Sequence, residues 1–123
     1  MMLALKRAYD EAQPQDGYRL LVDRLWPRGV SKEEAKLDDW SKALAPSDDL
    51  RKWFHDHDDD FESFKKKFIE ELENSDEAQE AIKNLKQTFK EEDRKKLTLV
   101  YASKNEKENN AVVLKTYLED QGF

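Results

Sequence analysis

Residues 18–26 (YRLLVDRLW) constrain the fold most, because they contain the continuous apolar run Leu20, Leu21 and Val22. Such a run is typical of a strand covered on both faces, as in the parallel sheets of α/β proteins. Further strands are predicted at residues 3–7 and at residues 97–102 (LTLVYA), the second being β-branched and aromatic. Three buried strands predict a small, mainly parallel sheet.

Helix start signals occupy much of the remaining chain. Ser31 and Glu34 match a capping box, Ser47 precedes two aspartates and an apolar run, and Ser75 is placed to start a further helix. The apolar side chains of residues 61–74 recur on one helical stripe. These signals predict helices between the second and third strands.

A last helix is predicted to start near Asn109 or Asn110, so that the third strand, a loop and this helix form half of a βαβ unit. Residues 14–17, between the first two strands, carry turn chemistry. The predicted fold class is therefore α/β, with a small, mainly parallel sheet flanked by helices in a three-layer, Rossmann-like or flavodoxin-like arrangement.

Length and composition predict one domain over residues 1–123. Three glycines and three prolines leave no flexible linker, and thirteen aromatic residues (three Trp, six Phe, four Tyr) supply core volume that the 37% hydrophobic content would otherwise lack. The chain has no cysteine, which excludes disulfides, thiolate zinc sites and a cysteine nucleophile.

Charge and hydropathy bear on partners and location. The net charge of −6 argues against a general nucleic-acid binder, which needs a clustered cationic face. No apolar run approaches the ~18 residues of a membrane span, and no secretory signal pattern is recognisable. We expect a cytoplasmic protein without membrane contact, and a monomer as the default, with a homo-oligomer left open.

The loop after the second strand carries the first candidate site. Asp23, Arg24, Trp26 and Arg28 crowd the carboxyl end of a central strand, where open α/β sheets bind ligands. Arginine offers a fork of donors to phosphate or carboxylate, and Trp26 offers a stacking face. The alternative is that Asp23 pairs with an arginine inside the fold and Trp26 belongs to the core.

The second candidate set follows the third strand: Ser103, Lys104, Asn109 and Asn110. Free amides at a helix N-terminus attract anions, so these residues would face the arginines if the second and third strands were neighbours. The alternative assigns plain N-capping to the asparagines and a solvated loop position to Lys104.

The run from His55 to Asp60 (HDHDDD) suggests a metal site, with His55 and His57 as candidate ligands. His-rich metal sites of this kind need further histidines, and the chain has two in all; a calcium loop would need a glycine at its sixth position. We therefore predict no metal site and interpret Asp58 to Asp60 as the acidic start of a helix.

Familiar catalytic signatures, including a glycine-rich phosphate loop, a serine nucleophile elbow and a histidine-bearing triad, do not occur. If the protein is an enzyme, the arginines would stabilise developing negative charge and Asp23 is the candidate for proton transfer. Tyr101 is a poorer base, because a tyrosine pKa is near ~10. No cofactor is indicated.

Four motifs together resemble the YeaO-like branch of the domain-of-unknown-function 488 family. They are VDRLWPRG at residues 22–29, LAPS at 44–47, RKWF at 51–54 and NNAVVL at 109–114. The resemblance spans nearly the whole chain and implies an α/β fold with parallel strands and flanking helices. It implies no activity, because the family has none established.

The chain departs from that family's pattern at two places. Members often carry a histidine just before the asparagines, where this chain has Glu108, and a Gly-His-Asp-Pro run after the Trp-Phe pair, where it has residues 55–58 (HDHD). Longer relatives carry cysteines near the last strand. A shared catalytic histidine or thiol chemistry is therefore not carried over to this chain.

From these residues we predict a pocket for a small anionic ligand, such as a phosphorylated small molecule or a nucleotide, at the carboxyl ends of the strands. A non-catalytic protein-interaction or structural module, in which exposed tryptophans meet a partner, is the alternative. A nucleic-acid-processing accessory role would require a contiguous positive face.

Overall fold

The sheet of this protein has four parallel strands, as seen in a computed structural model that describes residues 2–123. The strands are β1 (Met2–Arg7), β2 (Tyr18–Leu21), β3 (Asp39–Trp40) and β4 (Lys96–Tyr101). Their spatial order is β1-β4-β2-β3, so β4 lies between β1 and β2. The second and third predicted strands, β2 and β4, are therefore neighbours, which is the condition under which the loops that follow them face each other.

The strands differ from the prediction in two respects. β3 was not predicted, because two residues, paired with Leu20 and Leu21, are too few to show a period. β2 was predicted to reach Trp26 but ends at Leu21. It ends there because side chains take over the hydrogen bonds that a longer strand would use.

In the described part of the chain, five α-helices surround the sheet: α1 (Lys32–Ala35), α2 (Asp48–Asp56), α3 (Phe61–Asn74), α4 (Asp76–Glu91) and α5 (Asn110–Asp120). Each of the three predicted serine caps works as expected. The hydroxyl oxygens of Ser31, Ser47 and Ser75 accept backbone hydrogen bonds from the third residue of α1, α2 and α4. The stripe of apolar side chains over residues 61–74 also forms a helix, α3, as predicted.

The two faces of the sheet are covered differently. Helices α2 to α5 bury one face, where Leu20, Leu99 and Phe68 belong to the main core. On the other face, the segments on either side of α1 pack against a smaller cluster around Leu21 and Val100. Layers above and below the sheet give the three-layer α/β arrangement that the sequence predicted.

A buried ion pair between Asp16 and Arg19 lies at the amino end of β2. The carboxylate of Asp16 accepts hydrogen bonds from Arg19 at 2.7 Å and from Lys6 at 3.2 Å. Gly17 then turns into the strand with φ at +68°, and a Cβ there would lie 2.6 Å from the carbonyl oxygen of Lys96. The predicted turn over residues 14–17 is thus a short 3₁₀ helix, Pro14–Asp16, followed by an obligatory glycine.

Among residues 2–123, no helix combines the length and the apolar character needed to cross a membrane.

Candidate anion-binding site

The carboxyl ends of β2 and β4 diverge at one edge of the sheet. After β2 the chain leads toward β3, whereas after β4 it leads into α5, which packs back over β4 and β1. Neighbouring strands whose connections leave in opposite directions form a crevice, and open α/β sheets bind ligands at such a point. The loop from Asp23 to Arg28 and the start of α5 flank this crevice.

Two side chains replace the next rung of the β2–β4 ladder and so open the crevice. In this parallel register, the amide of Val22 donates to Val100, and the next bond would run from Ala102 back to the carbonyl of Val22. Instead, the Ala102 amide donates to Oδ2 of Asp23 at 2.9 Å. The Val22 carbonyl accepts from Nδ2 of Asn110 at 3.1 Å.

Among residues 2–123, hydrogen bonds from neutral groups, and no cation, hold Asp23. Its Oδ1 accepts the Asn110 amide at 3.0 Å, and within residues 2–123 it forms no ion pair. Burial raises the pKa of Asp23, and the hydrogen bonds from Asn110 and Ala102 offset only part of that effect. The alternative of an internal Asp23–arginine pair is not what the structure shows.

Arg24 instead supports the backbone. Its Nε donates to the carbonyl of Pro46 at 2.9 Å, and Nη2 approaches the carbonyl of Lys42 at 3.5 Å. These bonds hold the loop after β2 against the segment that precedes α2. Arg24 therefore has a structural role as well as a place in the cavity wall.

A cavity of about 360 Å³ fills the crevice; we call it the arginine-lined cavity. It is bounded by the loop after β2, the segment after β4, the start of α5, and residues of α2 and α3. Its lining consists of Asp23, Arg24, Leu25, Trp26, Pro27, Arg28, Pro46, Arg51, Phe54, Phe64, Ala102, Ser103, Asn109 and Asn110. Its size lies at the small end of the range for ligand sites.

The sequence analysis missed Arg51, Phe54 and Phe64. Arg51 and Phe54 lie in the RKWF motif of α2, so the motif marked them, but no local pattern indicated that α2 reaches the end of β2. The Phe54 ring stacks on that of Phe64, with centroids 4.1 Å apart. This contact brings α2 against α3 and places Arg51 at the cavity.

Trp26 lines the cavity and is half-buried. Its indole nitrogen donates to the carbonyl of Val30 at 2.6 Å, and its ring meets that of Trp40 edge-on at 5.5 Å. Trp40 in turn donates to the backbone carbonyl of Asp23 at 2.6 Å. All three tryptophans, Trp26, Trp40 and Trp53, are half-buried.

The residues after β4 divide into two groups. Ser103 lines the cavity, and its hydroxyl oxygen accepts a hydrogen bond from the amide of Asn105 at 3.2 Å. Lys104 is exposed and lies outside the lining. The sequence-predicted set is therefore brought together except for Lys104.

Asn109 and Asn110 have different tasks at the start of α5. Asn109 is buried and caps the helix, its Oδ1 accepting from the amide of Val112 at 2.9 Å. Asn110 bridges Val22 and Asp23, as described above. Both border the cavity, and both already serve the fold.

The two histidines lie at the end of α2, away from the cavity. His57 stacks on Trp53 at a centroid distance of 4.4 Å, and its Nδ1 lies 2.8 Å from the Trp53 carbonyl oxygen. His55 is exposed. Across residues 2–123, no group of three or more His, Cys, Asp or Glu side chains is arranged to hold a metal ion.

The sequence is similar to a defined family and to uncharacterised bacterial proteins. The family model described as "Inactive DUF488-N3 subclade" matches residues 2–122. The uncharacterized protein YeaO of Escherichia coli (strain K12) is 39% identical over 118 residues, covering 96% of this chain and 97% of that protein. The uncharacterized protein Rv3073c of Mycobacterium tuberculosis (strain ATCC 25618 / H37Rv) is 42% identical over 69 residues, 56% of this chain and 58% of that protein. No solved structure matches the chain.

Proposed function

The chain belongs to the family described as the inactive DUF488-N3 subclade, and we propose that it binds a small, phosphate-bearing anion in the arginine-lined cavity. The observation that carries the proposal is the convergence of three arginines, from two separate segments, on one cavity at the carboxyl ends of β2 and β4. Arginine forks suit planar, bidentate recognition of phosphate oxygens.

The charge of the lining supports phosphate over a singly charged anion. Among the described residues, the lining includes three arginines (Arg24, Arg28 and Arg51) and one carboxylate, that of Asp23. Three positive charges against one negative charge leave an excess of two. A phosphate monoester carries about −1.5 to −2 at pH 7 and would neutralise that excess.

Two of the arginines are free to close on a ligand. Within residues 2–123, the side chain of Arg28 forms no hydrogen bond or ion pair, although its backbone carbonyl accepts from the Tyr9 hydroxyl at 2.9 Å. Arg51 meets Asp48 at 3.4 Å, and both side chains are exposed, so this pair is weak. Arg28 and Arg51 are therefore the proposed anion contacts, whereas Arg24 acts by holding the loop.

Binding without catalysis fits the word "inactive" in the family description. It also fits the hydrogen bonds that already occupy the carboxylate of Asp23. Each carboxylate oxygen of Asp23 already accepts a structural hydrogen bond, from Ala102 and from Asn110. In this proposal Asp23 shapes the floor of the cavity. Proton transfer by Asp23 stays a prediction, and the binding function does not require it.

A thermal-shift panel of inorganic anions, sugar phosphates, nucleotides and divalent metals tests the proposal. A phosphate compound present at ~100 times its Kd should stabilise the fold by about 2.7 kcal/mol and raise Tm by roughly 10 °C. Arg28→Ala should abolish that shift. The matched control is Lys104→Ala, which removes an exposed cation of the adjoining loop outside the cavity and should preserve it.

Two outcomes would refute the proposal. One is that no phosphate compound shifts the wild-type protein. The other is that Arg28→Ala and Lys104→Ala respond to phosphate compounds as the wild type does, since binding would then lie elsewhere. Arg51→Ala provides a second variant from a different element, and it should weaken binding in the same direction as Arg28→Ala.

A further inference from the structure

The wall of the arginine-lined cavity is apolar as well as cationic. Leu25, Pro46, Phe54 and Phe64 line it together with the arginines. Phe64 is only 1% exposed and belongs to the main core, and Phe54 packs against that core. A rigid hydrocarbon surface therefore lies within reach of the anion contacts.

Leu25 provides a second, independent indication. It is 55% exposed, and within residues 2–123 it is one of three large apolar side chains left exposed, with Met2 and Tyr9. Unlike those two, Leu25 lines the cavity. An apolar side chain exposed at a cavity can be covered by an apolar part of a ligand, which removes its surface from water.

From this two-sided lining we infer that the ligand is an aromatic phosphate, with its phosphate on Arg28 and Arg51 and its ring against Leu25 and Phe54, which Phe64 supports from the core. The inference rests on the proposed function and narrows its ligand class. Inorganic phosphate or a sugar phosphate would satisfy the arginines but leave the apolar wall in water. An uncharged aromatic compound would cover the wall but leave the arginines without an anion.

Isothermal titration calorimetry with four probes tests the ligand class: phenyl phosphate, ribose 5-phosphate, inorganic phosphate and phenol. We expect phenyl phosphate to bind about tenfold more tightly than ribose 5-phosphate, the gain expected from removing roughly 60 Å² of apolar surface from water. Phenol should not bind measurably. Equal affinities for phenyl phosphate and ribose 5-phosphate would overturn the inference while leaving the proposed function intact.

The remaining outcomes also discriminate. If none of the phosphates binds, the proposed function fails, and the ligand class fails with it. If phenol binds as tightly as phenyl phosphate, the cavity is apolar in function and the role of the arginines is refuted.

The variants Leu25→Ala and Met2→Ala form a matched pair, because both truncate an exposed apolar side chain and only Leu25 lines the cavity. Leu25→Ala should weaken phenyl phosphate by about threefold to tenfold and leave ribose 5-phosphate unchanged. Met2→Ala should change neither. An equal loss for both phosphates in Leu25→Ala would mean that the loop, and not ring contact, was affected, and would overturn the inference.

Discussion

Asn110 donates from its Nδ2 to Oδ1 of Asp23 at 3.0 Å, although the two residues are 87 positions apart in the sequence. The same nitrogen reaches the carbonyl of Val22 at 3.1 Å. One amide group thus joins the end of β2 to the start of α5. Because it occupies the acceptor that the next ladder rung would use, it also determines where the two strands separate and the cavity begins.

Removing this amide should destabilise the protein. In Asn110→Ala, Oδ1 of Asp23 and the carbonyl of Val22 lose their donor, and we expect the free energy of unfolding to fall by about 1–3 kcal/mol. Urea denaturation with an unchanged m-value measures the effect. Asn84→Ala, at an exposed position of α4, is the control and should stay within about 0.5 kcal/mol of the wild type. Similar losses in both variants would contradict the bridging role.

Anion affinity should depend on the protonation of Asp23. Burial raises its pKa, and within residues 2–123 it is the only carboxylate that lines the arginine-lined cavity. As the pH falls through this raised pKa, a negative charge leaves the cavity and an anion should bind more tightly. Benzenesulfonate is a suitable probe because its charge does not change over this range. In Asp23→Asn, benzenesulfonate should bind more tightly than in the wild type at neutral pH, and its affinity should not change with pH. If the affinity of the wild-type protein is equally independent of pH, the prediction is wrong.

The stability effect of Asp23 has a definite sign. Its folded-state pKa lies above the unfolded value of about 3.9, so the native state binds more protons between the two values. The contribution of Asp23 to stability therefore grows as the pH falls through the raised pKa. Asp16 behaves in the opposite way.

Asp16 should stabilise the fold only while it is ionised. Burial by itself would raise its pKa, but hydrogen bonds from the backbone of Gln13 and from Lys6 and Arg19 hold the pKa below its ordinary value. The stabilisation is present above the unfolded pKa of about 3.9 and is lost as the pH falls through the lowered folded pKa. Asp16→Asn leaves Arg19 buried without a charge partner and should cost about 3 kcal/mol at pH 7.

Comparing Asp16→Asn with the wild type by urea denaturation at pH 7 and near pH 3 checks this prediction. The difference in the free energy of unfolding should shrink at the lower pH, because protonation of Asp16 in the unfolded state reduces the advantage of the ionised native carboxylate below the unfolded pKa. A difference of the same size at both pH values would show that Asp16→Asn destabilises the protein through altered packing and not through the lost charge.

Two glycines with positive φ allow a controlled comparison of backbone strain. Gly17 has φ of +68°, and an added Cβ would lie 2.6 Å from the carbonyl oxygen of Lys96. Gly29 has φ of +80°, but nothing lies within 4 Å of an added Cβ. We expect Gly29→Ala to cost about 1–2 kcal/mol from backbone conformation alone and Gly17→Ala to cost more than about 3 kcal/mol. Thermal unfolding measures the stability of both variants. Equal losses of stability would contradict the close approach of position 17 to the Lys96 carbonyl oxygen.

Much of the secondary structure could be predicted because its signals are local. The hydroxyls of Ser31, Ser47 and Ser75 cap the helices that their neighbours suggested. A cap depends on the backbone conformation of three or four consecutive residues, so the sequence displays it directly. β3 escaped prediction because it owes its existence to pairing with β2 and not to a pattern of its own.

By itself, the sequence determined the strands β1, β2 and β4, the starts of the helices and the cluster Asp23, Arg24, Trp26 and Arg28 at a strand end, since each of these depends on neighbouring residues. Only the tertiary structure decided that Arg51 joins that cluster, that Lys104 lies outside it, and that Asp23 is held by Asn110 and not by an arginine. The reason is physical. These contacts join residues from separate elements, and their geometry follows from how α2 packs on α3 and where β2 and β4 part, neither of which is encoded in any short stretch of sequence.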